Sequence, residues 1–222
     1  MTWLALSWPY VLELTGEHLL LSVPAVLLSV LIAIPIGQLA NRRPTVGGFV
    51  LGAASLMYAI PALPLLIIIP VVFGFPLRSP ATVITALTVY GTALLVRTAA
   101  DAFGSVDAEV RAAALAVGHS PRGVFWHVDL PLAVPVLLSG VRVVAVSTVS
   151  LVTIGALIGV PSLGSLLTDG FQRGITEEVM VGVVATILVA LVLDGLLILT
   201  GSALAPWARR RSPRPKILGA TR

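Results

Sequence analysis

The sequence predicts an all-α protein: a polytopic helix bundle that crosses a membrane five times, or six if its second span divides in two. Three observations predict it. Of 222 residues, 57% are hydrophobic and only 11% charged, with a mean hydropathy of +1.04. Soluble domains carry about 25% charged residues, so this chain lacks the polar surface to coat a globule. Apolar runs close to the roughly 20 residues that a membrane helix needs recur along its length. The basic residues, which give a net charge of +4, stand beside those runs instead of clustering, which argues against a nucleic-acid partner. Absence of cysteine excludes thiol catalysis, disulfides and thiolate metal sites.

Each element follows in order. Residues 1–17 contain Glu13 and Glu17 but no lysine or arginine. A removable signal begins with positive charge, so the segment is expected to stay as an extracytoplasmic N-terminus. The transmembrane region, residues 18–205, opens with a span at 18–40. The second span, 47–73, contains "IPALP" and is long for one helix, about 40 Å at 1.5 Å per residue. Pro61, Pro64 and Pro70 each remove a backbone donor, which predicts a kink or a split into two short helices. The third span runs over 81–96, the fourth over 132–158 and the fifth over 179–205.

Charge placement orients these spans. Five crossings put the 41–45 turn, the 97–131 segment and the 206–222 tail on one side. That side holds Arg42, Arg43, Arg97, Arg111, Arg122, Arg209, Arg210, Arg211, Arg214, Lys216 and Arg222; the other holds Arg78 and Arg173. Eleven against two is a strong positive-inside bias. It predicts the N-terminus outside and the C-terminus cytoplasmic, and six full crossings would break the pattern. The tail reads as a stop-transfer anchor on anionic lipid.

The longest polar interruption, 97–131, includes "AEVRAAALAVGHSPRGVFWHVDLP". Strong helix formers are followed by Gly118, suited to the left-handed residue that ends a helix. Ser120 can cap a second helix, with Pro121 in its first turn. That helix, about 121–127, shows Val124, Phe125 and Val128 on one face before Leu130-Pro131 breaks it and restarts the chain. The residues alone leave two readings open: a plain surface loop, or a docking knob. In the knob, Ala112, Ala113, Ala114 and Ala116 permit close approach, and Phe125 and Trp126 serve as anchors.

This segment resembles the EAA loop of permease subunits in binding-protein-dependent ABC importers. That loop reads Glu-Ala-Ala, three residues, Gly, then about nine residues to an apolar-x-Leu-Pro. Ala113 and Ala114 match the alanines, Gly118 the glycine, and Leu130 and Pro131 the ending. The leading glutamate is replaced by Ala112, with Glu109 on a neighbouring face of the same helix. Together with "TIGALIGVPSLGSLL" at 153–167 and "IPALPLL" at 60–66, the match covers residues 15–205. It is similar to the osmoprotectant branch, permeases for glycine betaine, carnitine and choline. The resemblance implies a type I importer permease-like bundle whose two short helices are cytoplasmic coupling helices gripped by an ATPase. Glu109, Ala112, Ala113, Ala114, Gly118, Ser120, Pro121, Phe125, Leu130 and Pro131 are then the coupling residues.

What the chain contains agrees with such a subunit. It has no Gly-x-x-x-x-Gly-Lys-[Ser/Thr] phosphate loop, and its single lysine is Lys216. ATP and magnesium are therefore expected on partner ATPases, with no cofactor on this chain. The expected partners also include an extracytoplasmic solute-binding protein, a second permease, identical or related, and membrane lipid. The expected location is a bacterial plasma membrane.

Within the spans, Arg142 and Asp194 lie at matching depths, about 15 Å from the cytoplasmic side. Lone charges there are costly, and an opposite pair is tolerable. The pair is expected to tie the last two spans together; the alternative places one of the charges on the substrate path. Met57, Tyr58 and Tyr90 offer faces over which a quaternary ammonium could pass, or simply packing. Gly155, Gly159 and Gly164 suit close helix approach or a turn at the outer mouth. His119 and His127 are too isolated for a metal, and no cluster suggests a hydrolytic site. The predicted function is transport, not catalysis, with an osmoprotectant as cargo. The alternatives are an importer of amino acids or another small polar solute, or an ATP-independent channel or proton-coupled carrier.

Overall fold

The computed structural model describes residues 2–207, so all but the first two residues of the 206–222 tail lie outside the described residues. Among the described residues there are nine α-helices and no strand. They are α1 (Thr2–Arg42), α2 (Pro44–Ala59), α3 (Ala62–Phe73), α4 (Pro80–Gly104), α5 (Ala108–Ala116), α6 (Pro121–Val124), α7 (Leu130–Val152), α8 (Gly164–Arg173) and α9 (Thr176–Leu204). Four helical stretches are individually long and apolar enough to cross a membrane. The pair α2 and α3, bent by 110°, passes the same test only when taken together.

Side-chain registers decide how many crossings these make. Ser29 of α1 donates to the Thr88 carbonyl of α4, and further along Gly37 lies against Ala99. The numbers rise together, so α1 and α4 run parallel. Two parallel helices need an odd number of crossings between them, and the intervening chain has length for one. The bent α2–α3 pair therefore supplies a single broken crossing, giving five in all. Gly91 faces Val144 and Gly140 faces Thr98, so α7 runs antiparallel to α4. Leu138 meets Gly201 and Arg142 meets Asp194, so α9 returns antiparallel to α7. The 43–44 turn, the α4–α7 connection and the end of α9 consequently share one face of the bundle.

Several boundaries differ from the sequence reading. The first helix starts at Thr2, not at residue 18, and takes in the segment read as a separate N-terminus. At 41 residues it is about 60 Å long. It continues because α8 and α9 give its N-terminal half a surface: Val11 and Leu14 are buried in a cluster with Leu163, Leu166 and Val189. Pro9, Pro24 and Pro35 stay inside it, as membrane helices allow when neighbours satisfy the freed groups. α4 begins at a Ser79 cap, whose Oγ accepts from Thr82 N at 3.2 Å. It runs past residue 96 because Ala99, Ala102 and Phe103 still have a core to fill.

The second span splits, as the prolines suggest. Ile60 and Pro61 are extended and the chain turns between them and Ala62. On the opposite face, Thr153–Ile158 tightens into a 3₁₀ turn ended by left-handed Gly159 (φ +83°). Ser162 is fully buried and accepts from Gly164 N at 3.1 Å. Gly164 packs directly on the Thr153 main chain. α8 then lies along α9, with Gly182 against Leu166 and Leu167.

Candidate functional site

The polar connection between α4 and α7 builds a knob. Ser105 ends α4, and Asp107 caps α5 by accepting from Glu109 N at 2.9 Å. At the other end of α5, Gly118 is left-handed (φ +95°). Its N–H bonds Leu115 O at 3.0 Å and the next N–H, of His119, bonds Ala114 O at 3.1 Å. This paired closure satisfies the last carbonyls of the helix and needs a residue without a Cβ penalty. Ser120 Oγ then accepts from Gly123 N at 3.1 Å, with Pro121 at the first position of α6.

One expectation fails here. Leu130-Pro131 does not break the helix. Residues 121–158 form one continuous helical stretch, widened between Phe125 and Asp129 into a π turn in which Leu130 N bonds Phe125 O. In a regular helix the Pro131 ring would collide with the carbonyl four residues back, and residue 131 has no N–H to donate. The extra residue in the turn absorbs both defects without ending the helix.

Among the predicted coupling residues, Glu109, Ala112, Ala113, Gly118, Ser120 and Pro121 are exposed, whereas Ala114 is buried. Phe125 turns inward, tilted on Phe103 with ring centroids 6.0 Å apart. Leu130 packs beside it in the same cluster, and Pro131 is half-buried. The large apolar side chains that the knob presents outward are Val117, Trp126, Leu115 and Val110, at 78%, 63%, 50% and 43% exposure. Phe125 therefore supports Trp126, against which it stacks edge-on at 5.0 Å. His119 and His127 come together, centroids 5.7 Å apart, with His127 Nδ1 donating to Gly123 O at 2.9 Å. Among the described residues no group of three or more His, Cys, Asp or Glu is placed to hold a metal.

Sequence reasoning missed the polar centre at the knob's base. Asp129 is almost fully buried and accepts from Arg111 Nε at 2.6 Å. Arg111 Nη2 also donates to Phe103 O, at 2.5 Å, near the end of α4. Arg42, at the end of α1, approaches the second carboxylate oxygen at 3.6 Å. The three line a cleft of about 340 Å³ with Gln38, Asn41, Pro121 and Val124. Arg111 and Asp129 are 18 residues apart, beyond any helical pairing rule, so no local pattern signals the contact.

Deeper in the bundle, Arg142 makes two parallel hydrogen bonds to Asp194: Nε to Oδ1 at 2.6 Å and Nη2 to Oδ2 at 2.8 Å. This fork is the strong geometry for a guanidinium and a carboxylate, and it joins α7 to α9. The Tyr90 hydroxyl donates its one proton to Ile60 O at 2.9 Å and lies 3.2 Å from Tyr58 O. It thereby gives a partner to a carbonyl freed where α2 breaks. Tyr58 lies against it, centroids 5.2 Å apart, and both Tyr58 and Met57 are exposed on the side of the chain.

Comparison with known proteins bears on this arrangement. The family described as "Binding-protein-dependent transport system inner membrane component" matches residues 25–210. The osmoprotectant import permease protein OsmW of Salmonella typhimurium is 33% identical over 196 residues, 85% of this chain and 88% of that protein. The carnitine transport permease protein OpuCD of Listeria monocytogenes is 27% identical, over 94% of this chain and 93% of that one. The choline transport system permease protein OpuBD of Bacillus subtilis is also 27% identical, over 96% and 93%. Among solved structures, a chain of the MetNI methionine ABC transporter superposes with a TM-score of 0.78 at 19% identity, covering 88% of this chain and 96% of that one. An amino acid ABC transporter gives 0.67 at 18%, covering 94% and 96%. At these identities the two structures establish the shared fold.

Proposed function

This chain belongs to the family of inner-membrane components of binding-protein-dependent transport systems, and from that premise we propose that it carries a quaternary-ammonium osmoprotectant such as glycine betaine, carnitine or choline. The chain is a transport subunit and the ATPase is a separate polypeptide. The observation that carries the cargo class is the 33% identity to an osmoprotectant import permease across most of both chains. Amino acids are the second reading, favoured only by the fold shared with amino-acid importers.

In this reading the face bearing α5 is cytoplasmic, because it also bears Arg42, Arg43, Arg97, Arg111 and Arg122. An ATPase grips the knob through Val117, Trp126 and the exposed alanines of α5. Closure of the ATPase rocks α4 and α7, between which the knob is strung. The binding protein meets the opposite face, where α8 and the 159–163 turn lie. Cargo passes along the side carrying Met57 and Tyr58, against a second permease. Tyr90 holds the break in the second crossing that places them there. Arg142 and Asp194 serve as an intramembrane brace.

Two measurements test this. Proteoliposomes containing the permease with its ATPase and binding protein should accumulate labelled glycine betaine, carnitine or choline only with ATP. Uptake by the permease alone without ATP would make it a carrier, and ATP-driven uptake of an amino acid in their place would overturn the cargo. For orientation, the cysteine-free chain allows a single Val117→Cys. A membrane-impermeant maleimide should label it only after cells are permeabilised, and labelling of intact cells would reverse the topology.

A further inference from the structure

We propose that Asp129 is a positioning residue, the joint through which movement of α5 reaches the membrane spans; the proposal rests on the reading of the knob as the ATPase contact. The connection between α4 and α7 buries Val106 and Val124 at its two ends, but α5 itself adds little to the core. Of α5 only Ala114 is buried, so apolar packing by itself leaves the helix loosely attached. A push on a loosely attached helix would be dissipated in its two flanking turns.

The buried carboxylate changes that. Arg111 leaves the middle of α5 and ends on two anchors, Asp129 at 2.6 Å and Phe103 O at 2.5 Å. The first anchor lies in the π turn that leads into α7, and the second in the last turn of α4. Arg42 brings the end of α1 to the same carboxylate, at 3.6 Å. Three elements thus meet at one carboxylate whose side chain is only 6% exposed, and α4 joins them through Arg111, whose side chain is 28% exposed. Screening by solvent is weak at such a site, and a charge-assisted bond with a fixed guanidinium resists both stretch and rotation. The π turn also matters. By widening the helix at 125–129 it sets Asp129 out of the register that an unbroken α-helix would give it.

The test uses the full chain and the assembled importer. Labels at Val110→Cys on α5 and Leu39→Cys on α1 sit on exposed side chains of a protein without native cysteine, and neither lies in the surface assigned to the ATPase. Their distance distribution is read by electron-spin resonance in nanodiscs, with labelled chain diluted into unlabelled. Asp129→Asn and Arg111→Gln should each broaden that distribution. In the complete importer each should lower solute moved per ATP hydrolysed by roughly two- to thirty-fold, the range over which coupling residues act. The ATPase should remain bound, and Asp129→Asn, which removes the buried charge, should lower the melting temperature of the permease less than Arg111→Gln, which strands it. The two variants approach one contact from opposite sides, so a folding defect in either leaves the other to decide. An unchanged distance distribution, or an unchanged ratio of transport to hydrolysis, would overturn the proposal. If the wild-type importer shows no ATP-driven uptake, the functional reading fails, and the distance measurement still reports whether the joint holds α5.

Discussion

In Asp194→Ala, the amount of folded chain recovered from membranes is expected to fall sharply, and in the double variant Arg142→Ala/Asp194→Ala to recover part of the loss. The fork between these side chains uses both carboxylate oxygens, at 2.6 and 2.8 Å. Removing Asp194 leaves a guanidinium near mid-membrane that cannot be deprotonated. A lone arginine at the centre of a spanning helix shifts the insertion equilibrium by on the order of a hundredfold. The double variant removes the charge together with its partner and leaves an apolar seam between α7 and α9. Membrane-fraction yield and a fluorescence-detected size-exclusion profile read the outcome. Single losses that simply add in the double variant would mean the two groups act independently.

The second large effect is expected at Gly164. A Cβ there would overlap the Thr153 carbonyl oxygen and lie 2.7 Å from both the carbonyl carbon and Cα of the same residue. These are main-chain atoms at the end of the fourth crossing, where no side chain can swing aside. The α8 hairpin must therefore move, and Gly164→Ala should cost about 3 kcal/mol or more, at the top of the range for overpacking. The lost packing is that of Leu163 and Leu166 on α1 and α9. Gly16→Ala is the matched control. It lies in α1 with nothing within 4 Å of its Cβ position, and it should be neutral or stabilising by up to about 1 kcal/mol. Thermal unfolding in detergent separates the two; equal melting temperatures would show that the 153–164 contact is looser than described here.

These effects separate what local chemistry encodes from what it does not. The turn at the knob is legible residue by residue, because Gly118, Ser120 and Pro121 each act on the backbone within a few positions of themselves. The Arg142–Asp194 pair is legible for another reason. Depth in a membrane is set by counting along a helix, so two charges at equal distance from one face can be matched without knowing the packing. The kink in the second span follows from prolines, whose missing donors are a property of the residue.

Other features depend on what lies opposite. Helix α1 extends back to Thr2 because α8 and α9 cover it, which no reading of residues 1–17 alone could supply. Phe125 points inward because Phe103 waits there. The same tertiary contact leaves Trp126 outward as expected and puts Val117 in the place read for Phe125. Pro131 is absorbed by a π turn where proline chemistry alone predicts a break.

Composition, the length of the apolar runs and the asymmetry of arginine thus determined by themselves that this is a multi-crossing membrane bundle with a polar interruption between its third and fourth crossings. Those quantities are sums over the chain and survive ignorance of contacts. Only the tertiary structure decided that the bent α2–α3 pair makes one crossing, because that follows from the parallel register of α1 and α4. Only it brought Arg111 and Arg42 to Asp129, since a contact between residues far apart in the chain is set by how helices pack and leaves no mark in the order of the residues.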